Sequence, residues 1–235
     1  MSAAGLIALG NAVRVYPRIP ASLLGGTPLT GWTDATATAN AGMVSGASSP
    51  DLEADYPNAL GPAADCVEEQ GFTSGYSASP PYTLWGIFSL RTFTGFSNLF
   101  GNFVDTNFGV YLNGTTWQWQ DGATTDSPTA PAVADEVFKL IVSCGSAAGT
   151  GRLYYGASGS TSTLRHTLSI APATTIGNVD TAGYGGAIAP IDGRILAWGI
   201  YSDDKTAAGQ IAQLDQLMQQ QITGPPGGGG GFLSY

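Results

Sequence analysis

The sequence contains few of the residues on which metal and acid–base chemistry commonly depend. It has one histidine, His166, and two cysteines, Cys66 and Cys144, among 235 residues. With no Cys-x-x-Cys pair and one histidine, a metal site built from Cys and His ligands is close to excluded, and we expect no metal and no cofactor. The cysteines are expected to be buried free thiols. A disulfide is the alternative, and it would require an oxidising compartment that the sequence does not establish.

Charged residues are equally scarce. They make up 11% of the chain, against about 25% in a typical domain. The eight Lys and Arg residues are scattered, and the net charge is −9. Because no basic stripe exists, we expect no binding to nucleic-acid phosphates. The same acidity argues against binding to an anionic membrane surface.

Long apolar segments are also missing. No run approaches the roughly 20 apolar residues of a transmembrane helix, so we expect no membrane insertion. The apolar stretch from Gly5 to Gly10 is short and follows no positive charge, which predicts that it is not a signal peptide. The hydrophobic content of 43% is nevertheless enough to form a core, which argues against a disordered chain.

Short β segments separated by turns dominate the sequence. The clearest signal is the pair Asn113-Gly114 between two apolar runs, which predicts a two-residue hairpin. Nine to eleven strand candidates recur about every ten residues, which is typical of a β-sandwich or a barrel, and no βα alternation is visible. The main predicted strands are Ala12–Tyr16, Tyr82–Leu90, Leu99–Phe103, Phe108–Leu112, Thr115–Gln120, Val137–Cys144, Arg152–Gly156, Leu164–Ile170 and Ile195–Tyr201.

One helix is predicted near the end of the chain. Apolar residues recur at three- and four-residue steps from Ile211 through Leu214 to Ile222, which indicates an amphipathic helix. Gly224-Pro225-Pro226 ends it, and the five glycines that follow are typical of a flexible tether.

These patterns divide the chain into a 1–31 N-terminal arm, a 32–223 β-sandwich and a 224–235 Gly-rich tail. The arm either packs along its own domain or docks on a neighbouring subunit. The tail is either a disordered end or a tip that docks in a groove of a partner. The residues that would dock are Val13, Val15, Tyr16, Phe232, Leu233 and Tyr235.

Several short motifs follow one another in a recognisable order between Tyr82 and Ile222. They are Tyr82–Leu90, Gly109–Gly114, Phe138–Ser143, Tyr154-Tyr155-Gly156, Ile176-Gly177 and Gly193–Tyr201 with the helix after it. In this order and spacing they resemble the concanavalin A-like lectin/glucanase superfamily, in particular its LamG-like jelly-roll domains. This resemblance implies an all-β fold, an antiparallel jelly-roll β-sandwich with one short C-terminal amphipathic helix and extended terminal arms. Lys205-Thr206 departs from the family, which usually has Leu-Ser there.

The carboxylates do not form a glycosidase pattern. Glycoside hydrolysis uses two carboxylates that flank one bond, and the Glu-x-Asp-x-x-Glu motif of the glucanase members is absent. The remaining candidates are Asp51, Glu53 and Asp55 in a predicted acidic loop, and the adjacent pair Asp135-Glu136. His166 lies in an alternating strand without a nucleophile elbow, so we expect it to be structural. The sequence therefore predicts a protein that is not an enzyme.

Aromatic residues leave sugar binding open. Trp117 and Trp119 lie two apart and share one face of a strand, which more often means core than surface. The candidate sugar-stacking residues are Trp117, Trp119, Tyr154 and Tyr155.

The leading hypothesis is a non-enzymatic structural component of a bacteriophage virion, such as a capsid decoration, head-fibre or tail protein. Its partners would be other virion proteins or copies of itself, and it would be assembled in the host cytoplasm. The second hypothesis is a carbohydrate-binding adhesin or receptor-binding module that recognises a host-surface glycan. A glycoside hydrolase is the third.

Overall fold

The computed structural model describes residues 3–19, 28–29, 31–43, 50–56, 61–66, 70–92, 96–102, 107–114, 116–122, 124–128, 133–168, 175–176, 179–181, 183–184, 187–188 and 191–223. The predicted tail, with Phe232, Leu233 and Tyr235, lies outside these residues. In chain order the elements are α1 (Ala4–Ala8), β1 (Ala12–Tyr16), β2 (Gly42–Met43), β3 (Asp51–Tyr56), β4 (Gly61–Cys66), β5 (Phe72–Thr73), β6 (Tyr82–Leu90), β7 (Phe96–Gly101), β8 (Phe108–Asn113), β9 (Thr116–Asp121), β10 (Thr124–Asp126), β11 (Val137–Cys144), β12 (Arg152–Ala157), β13 (Thr163–Thr167), β14 (Gly183–Tyr184), β15 (Ala187–Ile188), β16 (Gly193–Tyr201) and α2 (Ile211–Thr223).

Two antiparallel sheets form a β-sandwich, which confirms the predicted fold class. The large sheet has the order β13-β12-β11-β6-β16-β4-β3, and β1 also pairs with β16. β4 pairs with the first residues of β16 and β1 with the last, so the two share one flank of that strand. The small sheet has the order β10-β9-β8-β7. The predicted hairpin joins β8 to β9, with Asn113 opposite Thr116 and Gly114 at a φ of 62°.

The central strands of the large sheet are buried on both faces. Every residue of β6 and β11 is buried, which explains why both read as nearly continuous apolar runs. Along β6, Leu84 and Phe88 face the small sheet, whereas Trp85 and Ile87 face outward. The outward layer packs against α1 and α2, through Leu6, Leu214, Met218 and Ile222. No helix among the described residues is long and apolar enough to cross a membrane.

Part of the predicted N-terminal arm belongs to the sandwich. β1 is hydrogen-bonded to β16, and the ring of Tyr16 lies 4.3 Å from that of Trp198 between centroids. Val15 and Tyr16 expose no surface, so the docking role predicted for them is corrected: both fill the chain's own core. Val13 is partly buried against the inner cluster. The division at residues 31 and 223 stays a prediction.

The predicted acidic loop is also corrected, because Asp51–Tyr56 forms strand β3. It pairs with β4, and Leu52 is buried in the core between two acidic neighbours. Asp51 is exposed, and Glu53 reaches Arg194 at 2.8 Å. Alternation of one buried apolar residue with outward carboxylates is a strand pattern, and the acidic composition concealed it.

Two buried lysines hold the outer cover in place. Lys139 of β11 lies 2.9 Å from Asp215 of α2, and the two side chains are 1% and 8% exposed. Lys205 exposes no surface, and its Nζ donates to the carbonyl oxygens of Leu9 and Gly10 and to Asp203. The first pair joins α2 to the sheet, and Lys205 joins the turn after α1 to the segment before α2.

Replacing Lys139 with Met is expected to lower the free energy of unfolding by about 3–5 kcal/mol, because Asp215 would remain buried without its counter-charge. The matched double variant Lys139→Met/Asp215→Leu should recover most of that loss. Urea unfolding of the three proteins measures both effects. A cost below about 1 kcal/mol for the single variant, as for an exposed ion pair, would contradict this assignment.

Candidate functional site

Three of the four predicted sugar-stacking residues are core residues. Trp117, Trp119 and Tyr155 are 2%, 0% and 1% exposed. The ring of Trp117 meets those of Phe138 and Tyr155 edge-on, at centroid distances of 5.8 and 6.0 Å. Large aromatic rings fill the space between two packed sheets. The sugar-binding role of these three residues is therefore corrected, whereas the core interpretation that the sequence favoured for the two tryptophans agrees with the structure.

Tyr154 lies on the outer face of the large sheet, and its side chain is partly exposed to solvent. It is opposite Leu164 in the register of β12 and β13, and Leu164 is 49% exposed. The Tyr154 hydroxyl lies 3.0 Å from the hydroxyl oxygen of Thr206, which fixes the orientation of the ring. We call Tyr154, Leu164 and Thr206 the Tyr154 ledge. It combines one oriented aromatic ring with an aliphatic side chain and a hydroxyl at the edge of a sheet.

The ledge lies beside the helical cover, because Tyr154 packs against the outer core beneath the helices and is partly exposed. α2 is held over β11 through Asp215, and Gln219 accepts a hydrogen bond from the backbone N–H of Gly159 at 3.0 Å. Beyond that point β13 is largely exposed, with Thr163, Leu164, Arg165 and Thr167 all at the surface.

His166 lies on the opposite face of β13 and bridges the two sheets. Its Nε2 is 3.1 Å from Oδ2 of Asp126 in β10, and the two side chains are 24% and 23% exposed. The two atoms are not aligned for a hydrogen bond, and Nε2 has no hydrogen-bond partner among the described residues. The imidazole ring meets the ring of Trp119 edge-on. No described hydroxyl is bonded to Nε2, so this position is a contact between sheet edges, in agreement with the structural role predicted for His166.

The sequence analysis does not name Asp126, although the local strand pairing indicates which face of the sheet this residue occupies. The turn after Asp121 pairs Asp126 with Trp119 across β9 and β10. Directly opposite residues of an antiparallel pair point to the same face. Asp126 therefore shares the inward face of Trp119, where it can meet β13.

The fold brings Glu53 and Asp135 to the same arginine, although the sequence offered them in separate groups of candidate glycosidase carboxylates. Arg194 holds Glu53 through Nε and Asp135 through Nη1, at 2.8 Å each. Arg91 similarly holds Asp65 and Asp192. In each case the guanidinium lies between the two carboxylates, whereas glycoside hydrolysis needs room for a sugar between them. Among the described residues no group of His, Cys, Asp and Glu could hold a metal ion.

Both cysteines are buried free thiols, as the sequence favoured. Burial raises the pKa of the Cys66 and Cys144 thiols far above its usual range, because the thiolate would lose its hydration. The thiolate is the reactive form of cysteine, so neither residue is a candidate nucleophile.

Comparison with known proteins supports the fold. No family model and no curated protein matches the sequence. The chain is similar to a Trypanosoma rangeli sialidase mutant with trans-sialidase activity (13% identity, TM-score 0.58, 89% of this chain and 33% of that chain). It is also similar to a GH54 α-L-arabinofuranosidase (10% identity, TM-score 0.63, 84% of this chain and 51% of that chain). A third similar structure is the receptor-binding domain of botulinum neurotoxin type G (12% identity, TM-score 0.55, 89% of this chain and 52% of that chain).

The chain spans between about a third and half of the length of these structures. At 10–13% identity the likeness shows a shared β-sandwich fold. Membership of the concanavalin A-like superfamily or of its LamG-like branch stays a prediction.

Thiol labelling tests the burial of Cys66 and Cys144. At pH 8 a thiol-specific reagent is expected to leave the native protein unlabelled, because the raised pKa and the surrounding core keep both thiols protonated and inaccessible. In concentrated urea, two thiols should react per chain. Rapid labelling of either cysteine in the native state would contradict the packing described.

Proposed function

We propose that this chain is a non-enzymatic carbohydrate-binding β-sandwich module, whose glycan contact includes the Tyr154 ledge. The observation that carries the proposal is the oriented, partly exposed ring of Tyr154 beside Leu164 and Thr206. Support also comes from the fold, which is similar to parts of a sialidase, an arabinofuranosidase and a receptor-binding domain.

The chemistry of the ledge suits a neutral sugar. A sugar ring presents C–H groups to an aromatic face and hydroxyls to nearby donors and acceptors. Tyr154 and Leu164 supply the apolar contact, and the Thr206 hydroxyl supplies a polar one. Because the Tyr154 hydroxyl is already tied to Thr206, little rotational freedom is lost on binding.

The absence of catalysis is part of the proposal. The two carboxylates closest to a glycosidase pattern, Glu53 and Asp135, share the guanidinium of Arg194. The His166–Asp126 contact has no described hydroxyl bonded to Nε2. Neither arrangement supplies the general acid or the activated nucleophile that hydrolysis needs.

The second candidate function is a structural component of a bacteriophage virion that displays this sandwich. It is favoured by the exposed edge strand β13, since proteins usually protect long exposed edges. Exposed apolar side chains also favour it: Leu164 is 49% and Val133 54% exposed. Partners would then be other virion proteins or further copies of the chain.

A glycan array with the full chain, followed by titration of the best ligand, tests the first candidate. Tyr154→Ala is expected to weaken binding at least tenfold, or about 1.4 kcal/mol, because the stacking surface is lost. Tyr154→Phe keeps the ring but loses the hydroxyl contact that orients it, so its affinity should fall between those of the wild type and Tyr154→Ala. Failure of the array to detect any glycan, or unchanged binding by a folded Tyr154→Ala protein, would remove the basis of this proposal.

Light scattering on the full chain and on two tail variants tests the second candidate. One variant lacks residues 224–235. The other keeps the tail length but replaces Phe232, Leu233 and Tyr235 with Ser. The full chain is expected to form a defined oligomer that both variants lose, because the apolar tip would be the docking group. A full chain that is monomeric at all concentrations would contradict assembly through copies of this chain. Deleting residues 1–30 is unsuitable, because it removes β1 from the sheet.

A further inference from the structure

Asp204 presents one carboxylate oxygen to solvent beside the Tyr154 ledge. Its Oδ1 accepts three hydrogen bonds, from the Ser143 hydroxyl at 2.7 Å and from the backbone N–H groups of Thr206 and Ala207 at 2.9 and 3.3 Å. Its Oδ2 accepts none from a described residue and is not shielded from solvent. The three bonds hold the carboxylate in one orientation and leave Oδ2 available to a donor from outside the protein.

The carboxylate and the ring of Tyr154 lie on the same face of the large sheet. Thr206 connects them, since its N–H donates to Asp204 and its hydroxyl contacts that of Tyr154. Ser143, which holds Oδ1, lies two residues beyond Ile141 on β11, and Ile141 is directly opposite Tyr154. Residues two apart on a strand share a face, so Ser143 and the carboxylate bonded to it belong to the outer face.

Arg152 supplies hydrogen-bond donors on this face. It lies directly opposite Ser143 and two residues before Tyr154 on β12. Its Nη1 donates to the carbonyl oxygens of Gly149 and Gly151, which anchors the guanidinium at the turn between β11 and β12. Its Nε and Nη2 have no partner among the described residues and are not shielded from solvent. An anchored donor edge therefore lies next to the oriented acceptor oxygen.

The two charged groups suit hydroxyl ligands. Asp204 and Arg152 form no ion pair among the described residues, whereas Arg91 and Arg194 each hold two carboxylates. A hydroxyl both donates and accepts, so two adjacent hydroxyls can bond to a carboxylate and to a guanidinium at once. Such charge-assisted bonds are about twice as strong as bonds between neutral groups. Equal and opposite charges favour a ligand without net charge.

We propose that Asp204 and Arg152 determine the specificity of the glycan site, by holding two adjacent hydroxyls of a neutral sugar that stacks on Tyr154. One hydroxyl donates to Oδ2 of Asp204, and the oxygen of its neighbour accepts from Nε or Nη2 of Arg152. This inference rests on the proposed glycan binding and names its substrate class. Sugars in which either hydroxyl is missing or substituted bind weakly.

Titration of the best array glycan against variants tests the role of Asp204. Asp204→Asn keeps an oxygen for the three internal donors and replaces Oδ2 with an amide nitrogen. It is expected to weaken binding about tenfold or more, because a hydrogen bond to a charged acceptor is lost. Asp51→Asn is the matched control: it removes the same charge from an exposed position on β3, at the opposite edge of the large sheet, and should bind as the wild type does.

Monodeoxy analogues of that glycan separate hydroxyl recognition from a structural role of Asp204. Removing the hydroxyl that Asp204 binds should weaken wild-type binding about tenfold and should weaken binding by Asp204→Asn no further. If Asp204→Asn does not fold, Gly145→Ala replaces it, since a Cβ at position 145 would lie 3.0 Å from Oδ2 and displace it.

The outcomes distinguish this inference from the proposed function. Binding that Tyr154→Ala weakens, but that Asp204→Asn and every deoxy analogue retain, would overturn the inference and leave the glycan-binding module in place. Equal losses with a deoxy analogue in the wild type and in Asp204→Asn would also overturn it. An array without any bound glycan would overturn both.

Discussion

The structure depends on the burial of the large sheet on both faces. One face packs against the small sheet through large aromatic rings, and the other packs against two helices that contribute mainly apolar side chains. A charged group on the covered faces is therefore costly unless it finds a partner inside the protein. Lys139 finds Asp215, and Lys205 finds Asp203 and two backbone carbonyls. These contacts specify where the helices lie on the sheet.

The position of the helical cover also decides which surface is left for binding. α2 reaches the chain after β12 through Gln219, and β13 lies beyond it. The exposed Leu164 and the contact between His166 and Asp126 occur on β13, and the oriented Tyr154 lies opposite Leu164 on β12. Exposed apolar surface at the edge of a sheet commonly marks an interaction site. The proposed glycan contact and the exposed edge that favours the alternative assembly role therefore concern the same part of the molecule.

The few basic residues act mostly within the fold. Arg91 and Arg194 each bind two carboxylates, and Lys139 and Lys205 are buried. Little positive charge remains to steer an anionic partner over a distance. The low charge of this chain thus agrees with a neutral ligand at the ledge.

Local pattern was sufficient for much of the secondary structure. The predicted bounds of Ala12–Tyr16, Tyr82–Leu90 and Val137–Cys144 are those observed, because alternation and β-propensity act between close neighbours in sequence. The C-terminal helix followed from apolar spacing for the same reason. The alternating acidic residues Asp51, Glu53 and Asp55 predict a loop by composition, whereas pairing with β4 makes this segment a strand.

By itself the sequence indicated an all-β fold, either a sandwich or a barrel, and one amphipathic helix near its end. Tertiary structure alone decided the site. The two-residue spacing of Trp117 and Trp119 predicts that they share one face of a strand. Only the packing of the sheets shows that this face is buried and that Tyr154 points outward. The pairs Arg194–Glu53 and His166–Asp126 join residues distant in sequence. Such contacts arise from sheet order and register, which local spacing does not encode.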